Sequence, residues 1–247
     1  DVIAEYANQT QLYLGLIPSR RQIEHTGGYV NNWQTSDFAK YVREKSNNLF
    51  LVRDHAGPGQ GQNPDDGIDS LVKDIQSGFD ILHIDPWKIS YNLKDGINKT
   101  LGLIETICEI DDNVLFEVGT EEAIFSYNPN ELYQILLALR KSLKGDFSRV
   151  SHCVVQSGVK ISGLKNIGIF SADRLQEMVN ISHDFGVLTK EHNGDYLSYK
   201  QIKKRADLGL DAINIAPELG VMQTKILIDK KLVDFEKAYN ICMRVKK

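Results

Sequence analysis

Seven short apolar runs punctuate the chain: Tyr13–Pro18, Asn48–Arg53, Ile81–Asp85, Val114–Val118, Cys153–Gln156, Gly186–Lys190 and Ala212–Ile215. They are continuous rather than alternating, the pattern of strands buried on both faces of a parallel sheet. Between them the apolar residues recur at helical spacing. Ile68, Leu71, Val72 and Ile75 form an i, i+3, i+4, i+7 stripe within Ile68–Ser77. Ser36–Glu44, Ile97–Ile110, Pro129–Leu143, Ala172–Phe185 and Tyr199–Leu208 read as helices too, and the tail after Gly220 is helical in pattern. Asn128 is a fitting N-cap for the helix that opens at Pro129.

Strand and helix alternate without interruption, which predicts an all-parallel sheet with helices outside it. Asp1–Gln11 reads as the end of a first helix, with Val2, Ile3 and Tyr6 on its apolar side. The expected fold is therefore α/β, a TIM (β/α)8 barrel whose first strand lies before Asp1 and is missing from this chain. An open, doubly wound seven-stranded sheet is the rival. The length of 247 residues suits one such barrel, and no linker or low-complexity tract interrupts it, so residues 1–247 are read as a single α/β barrel domain.

The runs end in chemistry. Arg53-Asp54-His55-Ala56-Gly57-Pro58-Gly59-Gln60-Gly61 closes one strand with an acid and an imidazole, followed by a glycine-rich loop. Asp85, Glu117, His192 and Asn214 fall at or near the ends of others. In parallel α/β proteins those ends carry the site. Two histidines, His55 and His192, with the carboxylates Asp85 and Glu117, make a reasonable set for a divalent metal such as zinc. Either carboxylate could instead bind loop amides. His83 lies inside a strand and reads as a hydrogen-bonded core residue. The amides of Asn193-Gly194-Asp195 could cradle a phosphate. Arg20, Arg21, Arg53, Lys88, Lys160 and Lys190, near strand ends, suggest an anionic substrate or simply a solvated rim. The segment Gly57–Gly67, with three glycines by Gly61 and no apolar side chain between Pro58 and Pro64, is expected to be a mobile lid.

Composition adds mostly exclusions. A net charge of -4 offers no footprint for nucleic acid, and no apolar run is long enough to cross a membrane. The three cysteines, Cys108, Cys153 and Cys242, are widely spaced in apolar contexts; buried free thiols in a cytoplasmic protein are the expectation.

Taken together, Gly27-Gly28-Tyr29, Asp54-His55-Ala56-Gly57-Pro58, His83-Ile84-Asp85, Val118-Gly119-Thr120-Glu121, Val154-Val155-Gln156-Ser157-Gly158-Val159 and Glu191-His192-Asn193-Gly194-Asp195-Tyr196 have an order that resembles the tagatose-bisphosphate aldolase non-catalytic-subunit family. More distantly the chain resembles the class II, metal-dependent ketose-bisphosphate aldolases, over about Val2 to Gln223. The resemblance implies aldol chemistry on a phosphorylated sugar. Asp54 would be the proton donor and acceptor, His55 and His192 metal ligands, Asp85 and Glu117 the strand-end acids, and Asn214 a substrate contact. Arg20, Arg21, Lys160 or Lys190, with Asn193, Gly194 and Asp195, would hold phosphate. The catalytic enzymes carry a further histidine where this chain reads Gln156-Ser157-Gly158-Val159-Lys160. Three alternatives follow: a non-catalytic subunit stabilising a partner aldolase, a Schiff-base aldolase using Lys160 or Lys190, and a sugar-phosphate epimerase or isomerase. A homo-oligomer or a complex with an aldolase subunit is the expected assembly.

Overall fold

The computed structural model describes residues 1–245. Seven parallel strands form one sheet: β1 (Leu14–Leu16), β2 (Leu49–Ala56), β3 (Ile81–Ile84), β4 (Leu115–Val118), β5 (Val150–Val155), β8 (Leu188–Glu191) and β9 (Ala212–Ile213). They pair in chain order from β1 at one edge to β9 at the other. This is a partly closed (β/α)8-type barrel with seven strands in place, as the apolar runs predicted.

The helices are α1 (Val2–Thr10), α2 (Thr35–Lys45), α3 (Ile68–Gln76), α4 (Leu93–Cys108), α5 (Pro129–Leu143), α6 (Ala172–Asp184), α7 (Tyr199–Asp207), α8 (Pro217–Asp229) and α9 (Phe235–Val245). α5 shows why the sequence folds this way. Asn128 and Glu131 form a capping box, Pro129 stands where no amide is needed, and Leu132, Ile135, Leu136, Leu139 and Leu143 are buried along one face. Each such side chain contributes about 1.5–3 kcal/mol relative to staying in water. The core built from these faces runs from Ala4 in α1 to Val187 ahead of β8.

Three details depart from the expectations. A two-stranded hairpin, β6 (Ile161–Ser162) with β7 (Lys165–Asn166), turns at Gly163-Leu164 after β5. Gly163 has φ +58, which suits the tight turn. Arg53, expected among rim cations, is fully buried and binds Asp74 of α3 through two nitrogens, at 2.8 and 2.5 Å. Of the cysteines, Cys153 is buried, Cys108 half-buried and Cys242 exposed, because α9 presents its residues to solvent. Among the described residues no helix is long and apolar enough to cross a membrane.

Candidate active site

In a regular strand Asp54 and His55 would point to opposite faces. A bulge prevents this. The pairing of β2 with β3 slips between Arg53 and Ala56, and His55 takes φ +47, a left-handed conformation uncommon outside glycine. Both side chains thereby join one cluster. His55 Nε2 lies 3.8 Å from Asp54 Oδ2, and His83 Nδ1 lies 3.6 Å from Asp54 Oδ1.

Three imidazoles meet there. Ring centroids are 5.1 Å apart for His55 and His83, 5.5 Å for His55 and His192, and 5.0 Å for His83 and His192. Each is fixed by its hydrogen bonds. His55 Nδ1 donates to Asp85 Oδ2 at 2.5 Å, and His192 Nε2 donates to Glu117 Oε1 at 2.7 Å. Those bonds leave His55 Nε2 and His192 Nδ1 outside any hydrogen bond of the described residues, and a cation binding at His55 Nε2 would displace the proton from that nitrogen. His83 differs: Nε2 donates to the Gly119 carbonyl at 2.9 Å while Nδ1 accepts the His55 amide at 3.2 Å.

The acids are thus arranged behind the imidazoles. Asp85 also accepts from Thr120 Oγ1 and Gln60 Nε2, at 3.2 and 3.1 Å. Glu117 is buried and binds Lys190 Nζ at 2.5 Å besides His192. A carboxylate backing a histidine sets its tautomer and aim, the usual outer support of a metal site. Glu121, to which no role had fallen, comes forward instead. It can place an oxygen with one nitrogen each of His55 and His192, all within 4.8 Å of one another. Asn193 Nδ2 steadies it through Glu121 Oε2 at 2.6 Å. Asp54-His55-His83 and His83-Glu117-His192 meet the same distance limit, but both include His83, whose two ring nitrogens are taken by the Gly119 carbonyl and the His55 amide.

Charge follows this geometry. Burial alone would raise the Asp54 carboxyl; the charge of His55, the adjacent His83 imidazole and the charge of His192 overcome it and hold Asp54 well below the usual range. Burial likewise opposes the charged form of His55, yet Asp54 and Asp85 bring its pKa up to about 10. Glu117 is pushed up by burial but held well below its ordinary value by Lys190, His83 and His192. Asp54 Oδ1 is buried without a hydrogen-bond partner among the described residues, a condition that calls for an explanation in a folded protein. One nitrogen each of His55 and His192 with an oxygen of Glu121, close together at this mouth, fits a divalent cation.

The other candidate residues are placed as follows. Arg20 is buried and committed to Glu24 (2.7 Å), Asp65 (2.6 Å) and the Gly57 carbonyl (2.8 Å). It therefore pins the glycine loop. Lys88 Nζ adds a bond to the Gly59 carbonyl at 3.0 Å, so the segment without apolar anchors is held by polar ones. Gly67 closes the loop against Gly57: at φ +76, a Cβ there would lie 2.5 Å from the Gly57 carbonyl carbon. Asp195 Oδ1 accepts the amides of Ala216 and Glu218 at the start of α8, at 3.0 and 2.8 Å. The Gly194 amide donates to the Asn214 carbonyl at 2.9 Å, and Asn214 is buried at the end of β9. Lys160 is exposed beside the β6–β7 hairpin. A cavity of about 440 Å3 lies over His55, lined by Ser19, Arg21, Gln60, Lys88, Ala123 and Ile124.

No family model and no curated protein matches the chain. Its fold, however, is shared with several solved structures. A probable tagatose 6 phosphate kinase from Sinorhizobium meliloti 1021 superposes with a TM-score of 0.70 at 19% identity, over 88% of this chain and 61% of that one. The YdjI aldolase from Escherichia coli K12 gives 0.67 at 13% identity, over 95% and 77%. A fructose-bisphosphate aldolase from Campylobacter jejuni gives 0.63 at 16% identity, over 86% and 66%. The chain spans about 61% of the length of the Sinorhizobium protein.

Proposed function

We propose that the chain is a metal-dependent aldolase of the class II type, cleaving or forming a carbon-carbon bond in a phosphorylated ketose. The observation that carries the reading is the pair of imidazoles backed by buried carboxylates: His55 by Asp85 and His192 by Glu117. His55, His192 and Glu121 would hold the ion, a two-histidine, one-glutamate set of the kind zinc takes in open catalytic sites. Bound there, the ion supplies Lewis-acid polarisation of the ketose carbonyl. Asp54 takes the proton from the hydroxyl on the carbon that becomes the aldehyde, and returns it in condensation. Its ionised state and its unpartnered oxygen suit that role. His83, bonded through both nitrogens, holds the bulge of β2 in place from behind. The tied glycine loop keeps bulk water from the reacting carbon.

Lys190 is a poor Schiff-base nucleophile in this setting, since its amine is buried in an ion pair with Glu117 at 2.5 Å. The fold shared with aldolases supports the choice of chemistry. The test is zinc binding, followed by competition with a chromophoric chelator, together with retro-aldol turnover of a phosphorylated ketose. His55→Ala, His192→Ala and Glu121→Ala should each weaken zinc by at least about 10–100-fold, the usual cost of disturbing even the support of a metal site. Turnover should vanish with chelator and return with zinc. Zinc affinity unchanged in all three variants, or activity that survives chelation and is trapped by borohydride, would refute the reading. Zinc binding without turnover would point to the non-catalytic subunit.

A further inference from the structure

The mouth contains two cations that the aldol chemistry leaves unused. Arg21 and Lys88 are exposed, arise from different segments, after β1 and after β3, and line the same cavity as His55. Arg21 makes no salt bridge among the described residues. Among the described residues Lys88 Nζ hydrogen-bonds to the uncharged Gly59 carbonyl and forms no salt bridge. Of the other strand-end cations, Arg20 is spent on Glu24 and Asp65, Arg53 on Asp74 and Lys190 on Glu117, while Lys160 stands exposed by the β6–β7 hairpin and does not line this cavity. No carboxylate lines this cavity, although the protein as a whole carries a net charge of -4. A neighbouring cavity shows the contrast, with Glu24, Asp65, Asp66 and Asp69 set around Arg20 and His25. Of these two cavities, the one over His55 is lined by basic side chains without a carboxylate among them. Ser19 adds a hydroxyl and Gln60 an amide, while Ala123 and Ile124 form the apolar part of the lining.

We infer that Arg21 and Lys88 form a clamp for the phosphate monoester of the substrate, at the side of the mouth formed by the ends of β1 and β3. The inference rests on the reading of this mouth as the substrate site. Two cations on separate segments match a dianion, and arginine adds a planar fork for its oxygens. The position differs from the Asn193–Asp195 turn, where the Gly194 amide and the Asp195 carboxylate are already engaged. It also places the phosphate against the glycine loop, because Lys88 is the residue that holds Gly59.

The experiment is calorimetric titration of the chelator-treated protein with glycerol 3-phosphate and, separately, with glycerate. It needs neither metal nor turnover, so its outcome is separate from that of the aldolase reading. Arg21→Gln and Lys88→Gln should each weaken glycerol 3-phosphate by about tenfold or more, as expected when a charge-assisted hydrogen bond is lost. Lys203→Gln, which removes one charge from the outer face of α7, should leave it unchanged. Glycerate should bind more weakly than glycerol 3-phosphate. The clamp is overturned if the wild-type protein does not bind glycerol 3-phosphate, if both mouth variants bind it normally, or if glycerate binds better. Retained folding of each variant is read from its circular dichroism and melting curve. A clamp that binds phosphate in a protein without aldolase activity would leave this inference standing and the aldolase reading fallen.

Discussion

α5 and α8 are of similar length, 15 and 13 residues, and both begin with proline. α5 buries Leu132, Ile135, Leu136, Leu139 and Leu143, whereas α8 buries nothing. Leu219, Met222 and Ile226 recur at helical spacing along α8 and are each about half exposed. In α9, Phe235, Tyr239, Ile241 and Met243 are exposed as well. The difference lies in what each helix meets. α5 sits between α4 and α6 over strands paired on both sides, whereas α8 follows β9, a two-residue strand at the edge of the sheet. An apolar stripe is therefore a property of sequence, and its burial a property of neighbours. The site belongs wholly to the well-packed region, with its imidazoles on β2, β3 and just after β8.

The sharpest way to break that comparison is to truncate one leucine or isoleucine on each side. Leu136→Ala removes a fully buried side chain and should cost about 2–5 kcal/mol in urea unfolding. Ile226→Ala should change stability by less than about 0.5 kcal/mol, as surface substitutions do. A cost for Ile226→Ala comparable to that for Leu136→Ala would show that the α8 stripe is covered in solution.

How much of this was legible follows the same division. The seven strands were readable because strands buried on both faces must be continuously apolar. The Asp54-His55 tip was readable as a polar pair closing such a run. The bulge that turns both residues to one side was not, since it depends on where β3 pairs rather than on β2 alone. Glu121 lay within a noted motif, but its role depends on Asn193, 72 residues away in sequence. The division of cations was equally hidden. Arg20 and Arg21 are adjacent in sequence, yet one is buried in an ion-pair network and the other faces the cavity. Only the tertiary partners of Arg20, Asp65 above all, distinguish them.

That network offers a second, smaller effect within the packed region. Burial pushes the Glu24 carboxyl up, but the His25 amide, the charge of Arg20 and bonds from Ser70 and His25 bring it below its ordinary 4.5. A carboxyl whose pKa is lower in the folded state contributes stability above its unfolded value, and loses it as pH falls through the folded value. Asp65 is lowered in the same direction, chiefly by its bond with Arg20. Stability should therefore fall as pH drops below about 4.5, and the glycine loop should become more susceptible to protease. Glu24→Gln, measured by urea midpoint from about pH 6 to pH 3, should show a shallower decline than the wild type. Equal slopes would remove Glu24 from the account of acid stability.

The smallest effect, one on reactivity alone, compares a cysteine from each region. Cys153 lies in β5, fully buried, its sulfur 3.0 Å from Ser182 Oγ. Burial pushes its thiol up to about 12, so almost no thiolate exists at neutral pH and no reagent reaches it while the fold is closed. Cys242 is exposed on α9, among the uncovered apolar residues. Alkylation with iodoacetamide at pH 7.5, followed by peptide mass spectrometry, should label Cys242 within the time in which Cys153 stays unmodified. Denaturant should make the two rates similar. Labelling of Cys153 at the rate of Cys242 in the native protein would mean that β5 opens readily, which the packing of α5 and α6 over it opposes. Protection of Cys242 in the native protein, lost on dilution, would show that another surface covers α9. In that case the contrast between the two regions would hold only for the isolated chain.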